Sequence, residues 1–181
     1  MFSLKGGWMM LANVTVKTDQ IPNLTYGDYH SFAQLQQGNF LLHQNQIKTI
    51  HEHILPIKEF RLFCHRPSHG RTISIKTSQT ARGKEIRDAM ALGKPLPQRD
   101  TTDNPTAFKR LPDDTSLLSR RNDLLLTFPT FPNVAYDHMI YTKNVANTPR
   151  QYFLIRPEAN RYECDDERPP LTDCTFLVFV R

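Results

Sequence analysis

Long apolar runs are missing from this chain. Even "WMMLANV" (8–14) already contains Asn13 and falls far short of the roughly 18 to 20 residues that a membrane-spanning helix needs. No membrane span is expected. The opening Met1-Phe2-Ser3-Leu4-Lys5 also lacks the basic start, apolar stretch and small-residue cleavage site of a secretory signal. Taken literally this places the chain in the cytoplasm, but its first apparent strand begins almost at once, and a leader encoded upstream accounts equally well for such an opening. No Cys-x-x-Cys pair occurs, which argues against a structural zinc site of the usual spacing. Equally absent are a Gly-x-Ser-x-Gly elbow, a Gly-rich phosphate loop and a His-Glu-x-x-His helix. Cys64 beside His65 is no catalytic dyad, because neighbours on a strand face opposite sides. A non-enzymatic protein is expected.

What remains is enough for one domain. A chain of 181 residues carries one sizeable core and is too short for two, so residues 1–181 are read as a single unit. Thirteen prolines against seven glycines point to many irregular connections rather than long helices. "GWMMLANVTV" (7–16) reads as a buried entry strand. "EFRLFCH" (59–65) and "RTISIKT" (71–77) alternate with a period of two and are joined by "RPSHG", which predicts a hairpin. Helices are predicted at 28–37, at 45–55 with Ile47, Ile50 and Ile54 on one stripe before Pro56, and at 80–92. From 93 to 121 the text is polar and dotted with proline, a long loop or insertion. "LLLTF", "VAYDHMIYT", "QYFLIR" and "TFLVFV" read as further strands. The sum is an α+β domain: a mixed, mostly antiparallel sheet with short helices in the first half.

Several residue groups carry candidate chemistry. Cys64, Cys164 and Cys174 are either three reduced thiols of a cytosolic protein or include a long-loop disulfide between Cys64 and Cys164. Asn13-Val-Thr15 and Asn23-Leu-Thr25 are N-glycan acceptor triplets, available if the protein is secreted. His43, His51, His53, His65 and His69 can be read as metal ligands; on a helix His51 and His53 point about 200° apart and cannot share an ion, whereas on a strand they could. "ECDDE" with Asp173 gathers oxygen donors, and Asp165 and Asp166 are the candidate ligands should a calcium ion bind. No other cofactor is implied. The net charge of +5 is uneven, since residues 58–121 hold fourteen Lys and Arg against seven Asp and Glu. A solvated basic face is the plain reading. The alternative is a cytosolic adaptor for RNA or another polyanion through 58–121, with Arg66, Arg71, Arg82, Lys84 and Arg87 as contacts. Against nucleic acid, that stretch lacks interleaved exposed aromatics on which bases stack.

"GGWMMLANVTV", "GNFLLHQNQIKTIHEHI", "FRLFCHRPSHGRTISIKT", "YDHMIYT", "RYECDDE" and "TFLVFVR", in this order, resemble the fibrinogen-like extracellular domains of invertebrates, cnidarians in particular. The resemblance runs from Gly6 to Arg181 and fails mainly across 93–133. It implies a fibrinogen C-terminal-like fold, a Cys64–Cys164 disulfide in an oxidising compartment, and a non-catalytic module at the cell surface or in the matrix that binds glycans or extracellular proteins. Cys174 departs from the family pattern. So does the lack of cysteines between 93 and 121, and the family's calcium loop has no residue-by-residue match.

Overall fold

The computed structural model describes residues 7–18, 20–27, 30, 38–94, 107–116, 125–127, 138–142, 150–157, 160–165 and 173–181. The helix expected at 28–37 and the candidate ligand Asp166 lie outside them, apart from residue 30. Strands β1 (Met9–Val16), β2 (Thr25–Gly27), β3 (Phe40–Leu42), β4 (Phe60–Arg66), β5 (Arg71–Thr77), β6 (Phe108–Arg110) and β11 (Cys174–Val180) form one sheet, in the order β2-β3-β1-β11-β4-β5-β6. Every pair is antiparallel except β2 with β3. A second, antiparallel sheet has the order β10-β9-β8-β7, from β7 (Leu125–Thr127), β8 (His138–Thr142), β9 (Arg150–Arg156) and β10 (Arg161–Cys164). Helices α1 (Gln44–Thr49) and α2 (Ala81–Leu92) complete an α+β fold, with a π-helical turn at Ile50–Ile54 following α1.

The period of two decides which face of the large sheet is dry. Phe60, Leu62 and Cys64 of β4 stand opposite Val180, Val178 and Phe176 of β11, and Leu62 and Cys64 stand opposite Ile75 and Ile73 of β5. All of these are essentially fully buried. Against this face lie Phe153 of β9, edge-on to Phe176 with ring centroids 5.4 Å apart, and Tyr162 of β10. Burying so much aromatic and branched aliphatic surface is what holds the two sheets together. Arg61, Phe63 and His65 point the other way and stay half-buried. β1 shifts register between Met10 and Ala12, which lets the consecutive Leu11 and Ala12 both be buried.

Local signals set the helix ends. Thr80 caps α2 by accepting from the Gly83 amide at 3.1 Å, and Gly93, at φ 65°, ends it in the left-handed conformation. Gly83 has no room for a side chain: a Cβ there would sit 2.3 Å from the Ser78 carbonyl oxygen. The helix expected at 45–55 is present as α1 plus the π turn, and its last amide, Leu55, donates to Ile50. The segment read as a long loop, 93–121, contributes the edge strand β6, which pairs Thr77 with Phe108. "RYEC", at the head of the acidic run, is strand β10.

Candidate functional site

Two constructions stand out. The first is built around the disulfide. Cys64 of β4 and Cys164 of β10 are bonded across 100 residues of sequence, and both are fully buried. The bond therefore joins the large sheet to the small one through the core.

The residue after Cys164 adopts a backbone conformation that few side chains favour: Asp165 has φ 55°, in the left-handed region that Asn and Asp tolerate best. Its carboxylate is 0 % exposed and receives the Arg71 Nε proton, while Arg71 Nη2 donates to the Asp165 carbonyl at 2.9 Å. His69 closes the corner. Its Nδ1 accepts from the Arg71 amide at 3.1 Å, which leaves Nε2 as the donor to the Cys164 carbonyl at 3.3 Å. Burial, and then the neighbouring Arg71 guanidinium, hold the His69 ring below the ordinary histidine value. The hairpin turn 67–70 is thereby tied to the end of β10.

The second construction is an open cleft of about 410 Å3 lined by Trp8, Arg61, Lys76, Leu111, Pro112, Asp113 and Arg181. Its floor is half of a charge network. Burial alone would raise the Glu59 carboxyl, but hydrogen bonds from Lys76, Arg181 and Gln79 outweigh it and hold Glu59 below the ordinary glutamate value. Lys76 reaches Glu59 Oε1 at 2.7 Å, and the Arg181 Nε donates to Oε2. The Arg181 guanidinium lies 4.7 Å over the Trp8 ring. Arg61 donates from Nη2 to Ser74 Oγ at 3.1 Å and to the half-exposed Asp113 at 3.0 Å.

The structure distributes the candidates read from sequence. Among the polyanion set, Arg66 and Arg71 face each other at the turn end of the β4/β5 hairpin, whereas Arg82, Lys84 and Arg87 sit on α2. Arg71 is committed to Asp165, Arg82 to Glu85 at 2.6 Å and Arg87 to Asp88 at 2.7 Å. Arg66 Nε donates to Ser68, and Lys84 is exposed. Of the two candidate calcium ligands, Asp165 gives its carboxylate to Arg71. Among the described residues no group of three His, Cys, Asp or Glu side chains converges as a metal site. The histidines are scattered: His43 stacks on Tyr26, His51 Nδ1 accepts from the Ile57 amide and His65 bonds Thr72. Cys174 is buried at the start of β11, and that burial pushes its thiol up to about 12.

Asn13 lies in the interior strand β1, half-buried, with its amide reaching the Gly38 carbonyl at 3.4 Å. Asn23 and Thr25 are both exposed ahead of and within the edge strand β2. The cleft was missed by sequence reasoning because its walls come from residues 8, 61, 76, 111–113 and 181, and no local pattern links them. No helix among the described residues is long and apolar enough to cross a membrane. No family model matches the chain, nor does any curated protein or solved structure.

Proposed function

We propose that this chain is a non-catalytic recognition module that works outside the cell or at its surface, built as a divergent fibrinogen-like domain that binds glycans or extracellular proteins. The observation that carries the reading is the Cys64–Cys164 bond. Structural disulfides persist in oxidising compartments and are rare in the cytosol. This pairing is also the one that the resemblance implies.

Two further features support a module without chemistry of its own. A thiol pushed up to about 12 is protonated at neutral pH, so Cys174 is not a nucleophile. His69 spends both ring nitrogens on backbone partners, which makes it a brace rather than a base. Within this reading Asn23 is the glycan acceptor, since an oligosaccharide on an exposed loop asparagine clears the fold.

Expression through a secretory host, followed by non-reducing peptide mapping, tests the proposal. The expected result is a linked peptide pair containing Cys64 and Cys164, a Cys174 that alkylates only after denaturation, and a glycosidase-sensitive mass that disappears in Asn23→Gln. Three free thiols in secreted, folded protein would sink it.

A further inference from the structure

The cross-strand register of the large sheet places like charges side by side. Arg61 of β4 stands opposite Lys76 of β5, and Lys76 opposite Lys109 of β6. Residues paired this way share a face, and neighbouring strands lie about 4.7 to 4.9 Å apart. Three cations therefore form a straight row across three strands, on the face away from the core. Like charges directly opposite one another destabilise a sheet, so the row depends on neighbouring carboxylates to offset its repulsion.

Its neutralisation is incomplete. Glu59 serves Lys76 and Arg181, and Asp113 serves Arg61. Lys109 is exposed and pairs with none of the described residues. The side chains of Arg61, Lys76, Lys109 and Arg181 thus face two side-chain carboxylates, an excess of two cationic side chains. The inner half of the row forms the floor of the cleft that Leu111 and Pro112 rim.

We infer that the row Arg61, Lys76 and Lys109, continued by Arg181 over Trp8, is a binding track for an acidic glycan chain that carries sulfate or carboxylate groups on successive sugars. The inference rests on the recognition-module reading above and gives it a site and a ligand class. A linear polyanion matches a linear row of cations. Glu59 and Asp113 already hold Arg61, Lys76 and Arg181 in place, so little side-chain freedom remains to be lost on binding. The rim supplies apolar surface for the carbon face of a sugar ring, and the volume falls within the range of ordinary ligand sites.

Other polyanions fit less well. Single-stranded nucleic acid is held by bases stacked on open aromatic rings, but the two rings at this track are capped. Trp8 is 9 % exposed beneath Arg181, and Phe179 is 3 % exposed with Arg61 over it. Protein interfaces deplete lysine and carboxylates at their centres, whereas here Lys76, Glu59 and Asp113 stand among the arginines.

The test compares two exposed lysines in the full chain. Lys109→Glu reverses a charge on the track, and Lys84→Glu reverses one on α2 and serves as the control. Binding of a heparin-derived hexasaccharide, a hyaluronan hexasaccharide and a short single-stranded RNA is measured by calorimetry across salt concentrations. The expected result is that Lys109→Glu weakens oligosaccharide binding about fivefold or more and lowers the salt slope by about one contact, with Lys84→Glu close to wild type. Heparin binding alone assigns the track to sulfate, binding of both oligosaccharides to carboxylate as well, and either result upholds it. Equal losses in the two variants, no binding of either oligosaccharide, or RNA bound as tightly as heparin through Lys109 would overturn it. A chain that keeps its Cys64–Cys164 bond and binds neither oligosaccharide loses this inference while the recognition-module reading stands. Free thiols in the secreted chain count against that reading whatever binds.

Discussion

Asp165 offers a substitution series in which charge and backbone separate. Its carboxylate is fully buried against Arg71, whose side chain is 29 % exposed. Removing one partner of a buried pair costs about 3 to 5 kcal/mol because the other charge is left uncompensated. Arg71 here keeps its bond to the Asp165 carbonyl and some contact with water, so Asp165→Asn is expected to cost about 2 to 3 kcal/mol. Asn occupies the left-handed region at least as readily as Asp, so this variant reports the charge. Asp165→Ala loses the same charge and must also hold a Cβ-bearing residue without a local hydrogen bond at φ 55°, which adds about 1 kcal/mol. Asp165→Gly should recover that last increment, offset in part by the greater freedom of its unfolded chain. Urea unfolding followed by circular dichroism gives the three values, with an unchanged denaturant slope showing that the states being compared are the same. An Asp165→Asn protein within 0.5 kcal/mol of wild type would refute the role given to the ion pair; equal Asn and Ala values would refute the backbone argument.

Three further outcomes follow from the same structure. Replacing both Cys64 and Cys164 by Ala should remove about 4.7 kcal/mol, the loop-closure value for a bond spanning 100 residues. A calorimetric melting point that falls by less than about 2 °C would mean the bond constrains little. For His69 the folded-state pKa lies below the unfolded one, so the unfolded chain takes up the proton first. Its contribution is whole above the ordinary histidine value and is lost as pH falls through that value towards the folded one; urea midpoints from pH 7.5 down to 5 should show the decline in wild type and a flatter profile in His69→Gln. Gly83→Ala should cost about 1 to 3 kcal/mol despite alanine's better helix propensity, because the new methyl meets the Ser78 carbonyl; a stabilised variant would show that the turn before α2 simply shifts.

Much of the fold was legible because it obeys local periods. β5 coincides with the run 71–77, β4 departs from its expected range by one residue at each end, and α2 fills all but the first residue of the expected range 80–92. β2, β3 and β6 are three residues long and went unread, whereas the equally short β7 lies within the longer apolar run "LLLTF". β10 was hidden by its charges: Arg161 and Glu163 flank Tyr162, and the acidic run after Cys164 suggests a turn. Site residues were harder still. Arg71 and Arg82 look like free surface cations in sequence, and only the tertiary structure shows Asp165 and Glu85 against them. The row Arg61, Lys76 and Lys109 exists only through register, a property of strand pairing that no single segment contains.

The placement of Cys174 also bears on how the native bond is reached. Cys164 and Cys174 are ten residues apart, whereas the native partners are separated by 100. In a disordered chain, loop closure favours the short pairing by about 2 kcal/mol, roughly thirtyfold. Entropy alone thus favours the wrong partner; in the fold Cys174 is held on β11 across from Val16, and Cys64 of β4 meets Cys164 of β10. Once Cys174 is sealed in the sheet as a protonated thiol it cannot attack the finished bond. The strand pairing of the finished fold thus supplies the selectivity that chain entropy does not.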